Sequence, residues 1–301
     1  MAVTAKMVKE LRDRTGAGMM DCKNALVETG GDIEKAIELL REKGIAKAAK
    51  KADRIAAEGL CNIIVDGDTA YIYEVNSETD FVAKNENFLQ LVDTIGNALV
   101  AIKPESLEDA LKAEYEGKTL EDLIVEATST IGEKITLRRL DVLTKKDGDV
   151  FGVYKHMGGR IASLVLLEGG NEEIAKDVAM HVAASNPQFL NVDTVDPEKA
   201  AHEREMLKRE FENELAEETN EKAKEAKLKR IDQIVDGKLK KWYNETVLVL
   251  QPFVKNSDQT VEQYVSSNGA SVLGFYRYEV GEGIEKAQDN FVEEVMAQVR
   301  G

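Results

Sequence analysis

The side chains that could do covalent chemistry are few. The 301-residue chain has 3 histidines and 2 cysteines. His202-Glu203 opens a zinc-protease pattern, but Met206 stands where the second histidine is required. Gly117-Lys118-Thr119 resembles the end of a phosphate-binding loop, yet Lys112 occupies the position of its first glycine. Without that turn the backbone amides cannot cradle a phosphate, and Thr119 reads instead as a helix cap. Gly281-Glu282-Gly283 lacks the third glycine of a dinucleotide loop. His181 falls on an apolar helical face and reads as a core residue. His156 lies in a turn beside Met157-Gly158-Gly159, where both a structural and a contact role are open. Cys22 and Cys61 sit among apolar neighbours. Two thiols alone make neither a zinc site nor a disulfide framework, so both read as buried free thiols. No local Ser/His/Asp or Cys/His arrangement is supported, and a catalytic carboxylate pair cannot be picked from 56 acids without spacing. The residues therefore favour a modular binding protein over an enzyme, with no cofactor and no metal of its own.

Charge narrows the partners. The chain carries −16 and repels phosphate backbones, which excludes a broad nucleic-acid surface. Residues 1–54 hold 12 Lys/Arg against 9 Asp/Glu, a local +3 that leaves −19 for the rest and marks off an N-terminal module. A hydrophobic fraction of 43% is that of a folded chain. The opening Met-Ala-Val-Thr-Ala-Lys lacks the basic-then-apolar run of a signal peptide. Apolar stretches such as Leu164–Leu167 fall far short of the ~20 residues a membrane span needs. A cytoplasmic protein with no membrane partner is expected.

The elements that would position these residues follow from periodicity. Residues 1–54 read as three short helices. Thr4 caps the first, Gly16–Gly18 and Gly30-Gly31 break the run, Asp32 caps the third, and Gly44 stops it. From Leu60 the period shortens. Cys61–Val65 and Thr69–Asn76 around Asp66-Gly67 signal a β-hairpin, with Tyr71, Tyr73 and Val75 on one face. Helices follow through Phe88–Leu99 and from Thr119, then a strand at Ile135–Leu143. The order recurs: a hairpin of Val150–Tyr154 and Ile161–Leu167, a helix through Ile174–Val182, a helix start at Thr260 that echoes Thr119, and a strand at Val272–Val280. This implies an α+β fold with a core of two duplicated small antiparallel sheets.

The second copy is interrupted by a Glu/Lys-rich stretch. Leu207, Phe211 and Leu215, then Leu228, Ile231, Val235, Leu239 and Trp242, recur at helical spacing around a polar break at Glu217–Asn220. Two antiparallel helices in a protruding hairpin are expected. A solvated arm and a coiled coil for dimerisation or partner binding are equally compatible with the pattern. Ile284–Val299 would form an amphipathic C-terminal helix. The resulting boundaries are 1–54 for a helical docking module, 55–143 for one half of the core, 144–190 with 243–281 for the other, 191–242 for the inserted arm and 282–301 for the C-terminal helix.

One further segment stands out, Glu74-Val-Asn-Ser-Glu-Thr79-Asp80-Phe81-Val82-Ala83-Lys84-Asn85, joining a strand to a helix. With Leu11–Lys23, Met180–Ser185, Gln251-Pro-Phe-Val254 and Glu279–Lys286, it closely resembles the bacterial translation elongation factor Ts family. The resemblance implies a guanine-nucleotide exchange factor for elongation factor Tu, with a ubiquitin-associated-like N-terminal module placed against that partner's GTP-binding domain. It also implies an inserted coiled coil, through which a homodimer remains open. It places Thr79, Asp80, Phe81 and Val82 where the factor intrudes near the partner's Mg²⁺ site, and His156, Gly158 and Gly159 towards the partner's third domain. Periodicity alone allows another role for Phe81. It precedes Phe88 by seven residues and could be the first core residue of that helix, just as Asp80 could be only a helix-start carboxylate.

Overall fold

The computed structural model describes residues 3–285. The expected C-terminal helix lies outside the described residues. The chain divides into two compact units. One takes the described residues of Met1–Leu143, Met157–Ile161 and Tyr278–Gly301; the other takes Thr144–His156 and Ala162–Arg277. The mixture of helices with small antiparallel sheets is α+β.

The first unit opens with α1 (Ala5–Thr15), α2 (Met19–Glu28) and α3 (Ile33–Ala49). Thr4 and Asp32 cap α1 and α3 by accepting from Met7 N and Lys35 N. Val8, Leu11, Cys22, Leu26 and Ala36 form a small core of their own. Gly44 does not end α3, which runs on for five residues. A Cβ there would stand 3.2 Å from the Ser129 Oγ, so the glycine lets α3 press against a later helix.

β1 (Glu58–Asp66) pairs antiparallel with β2 (Thr69–Ser77), with Cys61 opposite Glu74. Then come α4 (Asp80–Ala83), α5 (Glu86–Ile102), α6 (Leu107–Lys112), the two-residue strands β3 (Glu114–Tyr115) and β4 (Lys118–Thr119), α7 (Leu120–Ile131) and β5 (Thr136–Thr144). The sheet order β1-β2-β5 makes β2 central, and its second face is covered as well: every residue from Ala70 to Ser77 is buried. On one face Tyr71, Tyr73 and Val75 join Phe88, Leu91, Val92, Ile95 and Leu99 of α5 in the core. Each such large apolar side chain contributes roughly 1.5–3 kcal/mol by leaving water. The Tyr73 hydroxyl, buried with its ring, donates to Val92 O at 2.9 Å.

The other face of β2 carries Glu74, fully buried and charged. It is held by Arg138 at 3.2 Å, by Arg139 at 2.5 Å and by Gly281 N at 2.8 Å. Arg139 also lies over the Tyr278 ring at 4.0 Å. A buried carboxylate needs such partners, and removing them would cost about 3–5 kcal/mol. The sequence thereby staples its late Gly281–Gly283 turn onto its early hairpin.

The second unit contains β6 (Asp149–His156), β7 (Ile161–Gly169), α8 (Glu172–Ser185), α9 (Pro197–Ala216), α10 (Glu221–Leu228), α11 (Ile231–Thr246), β8 (Pro252–Phe253), β9 (Asn256–Thr260), α12 (Val261–Ser267) and β10 (Ala270–Glu279). Its sheet order, β10-β7-β6, repeats the first: the later strand is added beside the second strand of a hairpin. Thr119 and Thr260 occupy matching places and both cap, accepting from Asp122 N and Gln263 N. α9 and α11 pack together over Phe211, Leu215 and Val235. Three helices stand in this stretch where two were expected, because the polar break is followed by the separate eight-residue α10, capped by Asn220.

Candidate functional site

The segment after β2 turns sharply into α4, a helix of four residues. So short a helix cannot hold itself together in water, because nucleation fixes several residues for very few hydrogen bonds. Its order comes from the surroundings. Thr79 caps it, with Oγ1 accepting from Val82 N at 3.4 Å. The Glu133 carboxylate accepts from Glu78 N at 3.1 Å, from Thr79 N at 3.0 Å and from Thr79 Oγ1 at 2.7 Å. In return Lys134 N donates to Glu78 Oε1 at 2.6 Å. Below, Ala83 is buried and Val82 packs against the core; beyond, Asn85 caps α5 by accepting from Asn87 N at 2.9 Å.

Phe81 points the other way and is 81% exposed. Periodicity allowed it to be a core residue, and the geometry removes that role, since Phe88 fills the core position instead. The ring is a large rigid aromatic held in water on a clasped turn, with its apolar area available to another surface. Asp80, also exposed, bonds Lys84 one turn on at 2.7 Å. The hydrogen bond from Lys84 holds its carboxyl below the usual carboxylate range.

The turn between β6 and β7 is tight and partly left-handed, with φ +48° at Met157, +68° at Gly158 and +104° at Gly159. His156, Met157 and Gly158 are exposed. The ring of His156 stacks with Tyr154 at 6.2 Å between centroids. Gly159 departs from the expectation of a contact residue: it is buried, and a Cβ there would lie 2.8 Å from Cys61 O. Its small size serves packing within the chain. Met157, 71% exposed, is the apolar residue of this tip that sequence reasoning passed over.

His181 is buried as expected. Val254 N donates to its Nδ1 at 3.1 Å, so Nε2 bears the proton and donates to Gln251 Oε1 at 2.8 Å. Burial pushes its pKa down. Cys22 and Cys61 are buried free thiols, and burial raises the pKa of each. Among the described residues no group of three His, Cys, Asp or Glu is placed to hold a metal ion, and no helix is long and apolar enough to cross a membrane.

Glu133 and Glu78 were not legible as site residues. Glu133 lies 54 positions from Thr79, and only the fold brings the two together.

The arrangement is thus an exposed aromatic on a clasped turn of an α+β fold. The family model described as Elongation factor TS matches residues 78–282, more than half of the chain, starting within the clasped segment itself. The chain belongs to the elongation factor Ts family, and its class of activity is nucleotide exchange on elongation factor Tu in translation.

Proposed function

We propose that the chain promotes GDP release by driving Phe81 into elongation factor Tu beside its Mg²⁺ and phosphate site. The observation that carries this reading is the 81% exposure of Phe81 on a turn anchored by Glu133, Val82 and Ala83. Burying such a ring in a partner removes ~150 Å² or more from water. Mg²⁺ demands near-ideal octahedral geometry, so displacing the side chains that order its water shell loosens both the ion and the phosphates. Each ~1.4 kcal/mol taken from that grip weakens GDP binding tenfold. By linkage, nucleotide weakens factor binding by the same ratio, so exchange proceeds without covalent chemistry in this chain. Thr79 caps the wedge, Val82 roots it, and Asp80 is available to partner groups freed by the shift.

Further contacts are read from exposed surfaces. Met19 and Met20 of α2, 52% and 62% exposed, support a ubiquitin-associated-like docking role for residues 1–54. His156, Met157 and Gly158 support a second contact at the hairpin tip. Met206 and Leu228 are exposed on the arm, here taken as an inserted coiled coil that meets a second copy of the chain. Sedimentation of the intact protein tests that last reading, which a monomer at all concentrations would rule out. A cytoplasmic location is the setting this function requires.

The decisive experiment is release of labelled GDP from loaded elongation factor Tu. Substoichiometric amounts of the chain should accelerate it. Release at the spontaneous rate would leave a scaffolding protein.

A further inference from the structure

The exposed aromatic of α4 can act as a wedge only if its base does not yield, and the base depends on one carboxylate from a distant turn. Glu133 follows Gly132, the left-handed cap of α7, whose amide donates to Thr128 O at 3.1 Å. The same turn is tied from both sides. Ile135 N donates to Thr128 Oγ1 at 3.1 Å. Lys134 Nζ reaches Ala52 O and Arg54 O at 2.5 and 2.9 Å, and Lys51 Nζ donates to Gly132 O. Glu133 therefore stands on a fixed support.

From that support it makes a directional chain. One carboxylate oxygen takes both Glu78 N and Thr79 N; the other takes the Thr79 hydroxyl proton. Donating that proton to Glu133 turns a lone pair of Thr79 Oγ1 towards Val82 N, the bond that closes α4. Glu78 returns the grip by accepting from Lys134 N and pairing with Arg54 at 3.3 Å. A carboxylate hydrogen bond to backbone amides is of the strong, charge-assisted kind. The direction of Phe81 is thus set by Glu133 through Thr79.

We infer that Glu133 is a positioning residue for nucleotide exchange, acting through Thr79 on the Phe81 wedge. The inference rests on the exchange function proposed above. Its bland alternative is a residue that only stabilises the fold.

The two separate in a double-mutant experiment on the full chain, reading GDP release from elongation factor Tu at saturating factor and the factor concentration at half-maximal rate. Glu133→Ala should lower the maximal rate about tenfold, since displacements of order 1 Å are enough for large losses. The half-saturating concentration should move less than about threefold, because the other contact surfaces remain. Glu133→Gln should restore most of the rate. Its carbonyl oxygen can accept both amides, and Thr79 Oγ1, accepting from its Nε2 with one lone pair, keeps the other for Val82 N. In a Phe81→Ala background, Glu133→Ala should change the rate less than about twofold. Thr79→Val should repeat the Glu133→Ala pattern and serves if that variant does not fold. An unchanged rate in these variants, or an equal loss with and without Phe81, overturns the inference while leaving the wedge intact. A Phe81→Ala variant at full rate overturns the wedge reading itself, and with it the role of Glu133.

Discussion

The turns at 79–82 and 156–159 both present an exposed apolar side chain, Phe81 in one and Met157 in the other, but they are built by opposite means. The first is an ordinary right-handed helical turn made rigid by side chains from elsewhere: Glu133 at its start, Val82 and Ala83 beneath it. The second is rigid through its backbone, three consecutive residues at positive φ with Gly159 against Cys61 O. The first carries a stiff aromatic, the second a thioether that adapts to what it meets. A clasped wedge suits a contact that must displace something; a tight turn with a compliant tip suits a contact that only adds binding.

That contrast breaks most readily at Phe81. Phe81→Ala should slow GDP release from elongation factor Tu by about tenfold or more, as expected of an aromatic anchor. Its stability should change by no more than surface substitutions do, about 0.5 kcal/mol. Phe88→Ala, at the neighbouring buried ring, should instead cost ~3–5 kcal/mol of stability. Thermal denaturation of both variants beside the release assay decides. If Phe81→Ala melts like Phe88→Ala with exchange per folded molecule intact, Phe81 is no wedge.

At the other turn the expectation reverses. Gly159→Val places a β-branched residue at φ +104° with its Cβ 2.8 Å from a backbone oxygen. It should lose about 2–4 kcal/mol of stability. Gly158→Asn, at φ +68° with open space around it, should lose less than about 1 kcal/mol, because asparagine tolerates that region. Urea denaturation measures both. Equal losses would remove the distinction between packed and exposed glycine.

How much of this was legible in the sequence varies by physical cause. Caps are local chemistry, so Thr4, Asp32, Thr119 and Thr260 could be found from residue type and the helical run that follows. The two sheets showed through hairpin spacing and the repeated order of elements. Gly44 misled because its local signal, a glycine near a helix end, was overridden by close packing on Ser129. The second buried face of β2 was hidden because Glu74 and Asn76 look like solvent-facing residues until Arg138, Arg139 and Gly281 hold Glu74, and Asn76 donates to Glu74 and to Glu58 O. The segment containing Phe81 was recognisable as a motif, yet whether its ring was inside or outside depended on where α4 ends and α5 begins. Glu133 was invisible for a related reason: its role consists of bonds across 54 residues, and the residue type alone is that of any exposed acid.

The buried His181 makes stability depend on solution conditions. Burial holds the pKa of His181 below its ordinary 6.5, and its Nδ1 accepts from Val254 N, a bond the protonated ring cannot make. The unfolded chain then takes up a proton that the folded one resists. Stability should be at its plateau above pH 6.5, fall as the pH drops through that value, and level off once the folded ring also protonates. Urea midpoints measured between pH 7.5 and 5 would show the slope, and His181→Gln should remove its share.

His156 is exposed at the tip of the β6–β7 turn. His156→Ala removes a stacked ring next to Met157 without opening a cavity, so stability should change by less than about 0.5 kcal/mol. As the peripheral contact proposed above, His156 would contribute at most about 1 kcal/mol, or some fivefold in the half-saturating factor concentration. If, as proposed, the tip adds binding and Phe81 does the displacing, the maximal release rate should not move. A lowered maximal rate with an unchanged half-saturating concentration would mean that the second turn also acts on the nucleotide site, and the division of labour between the two turns would have to be redrawn.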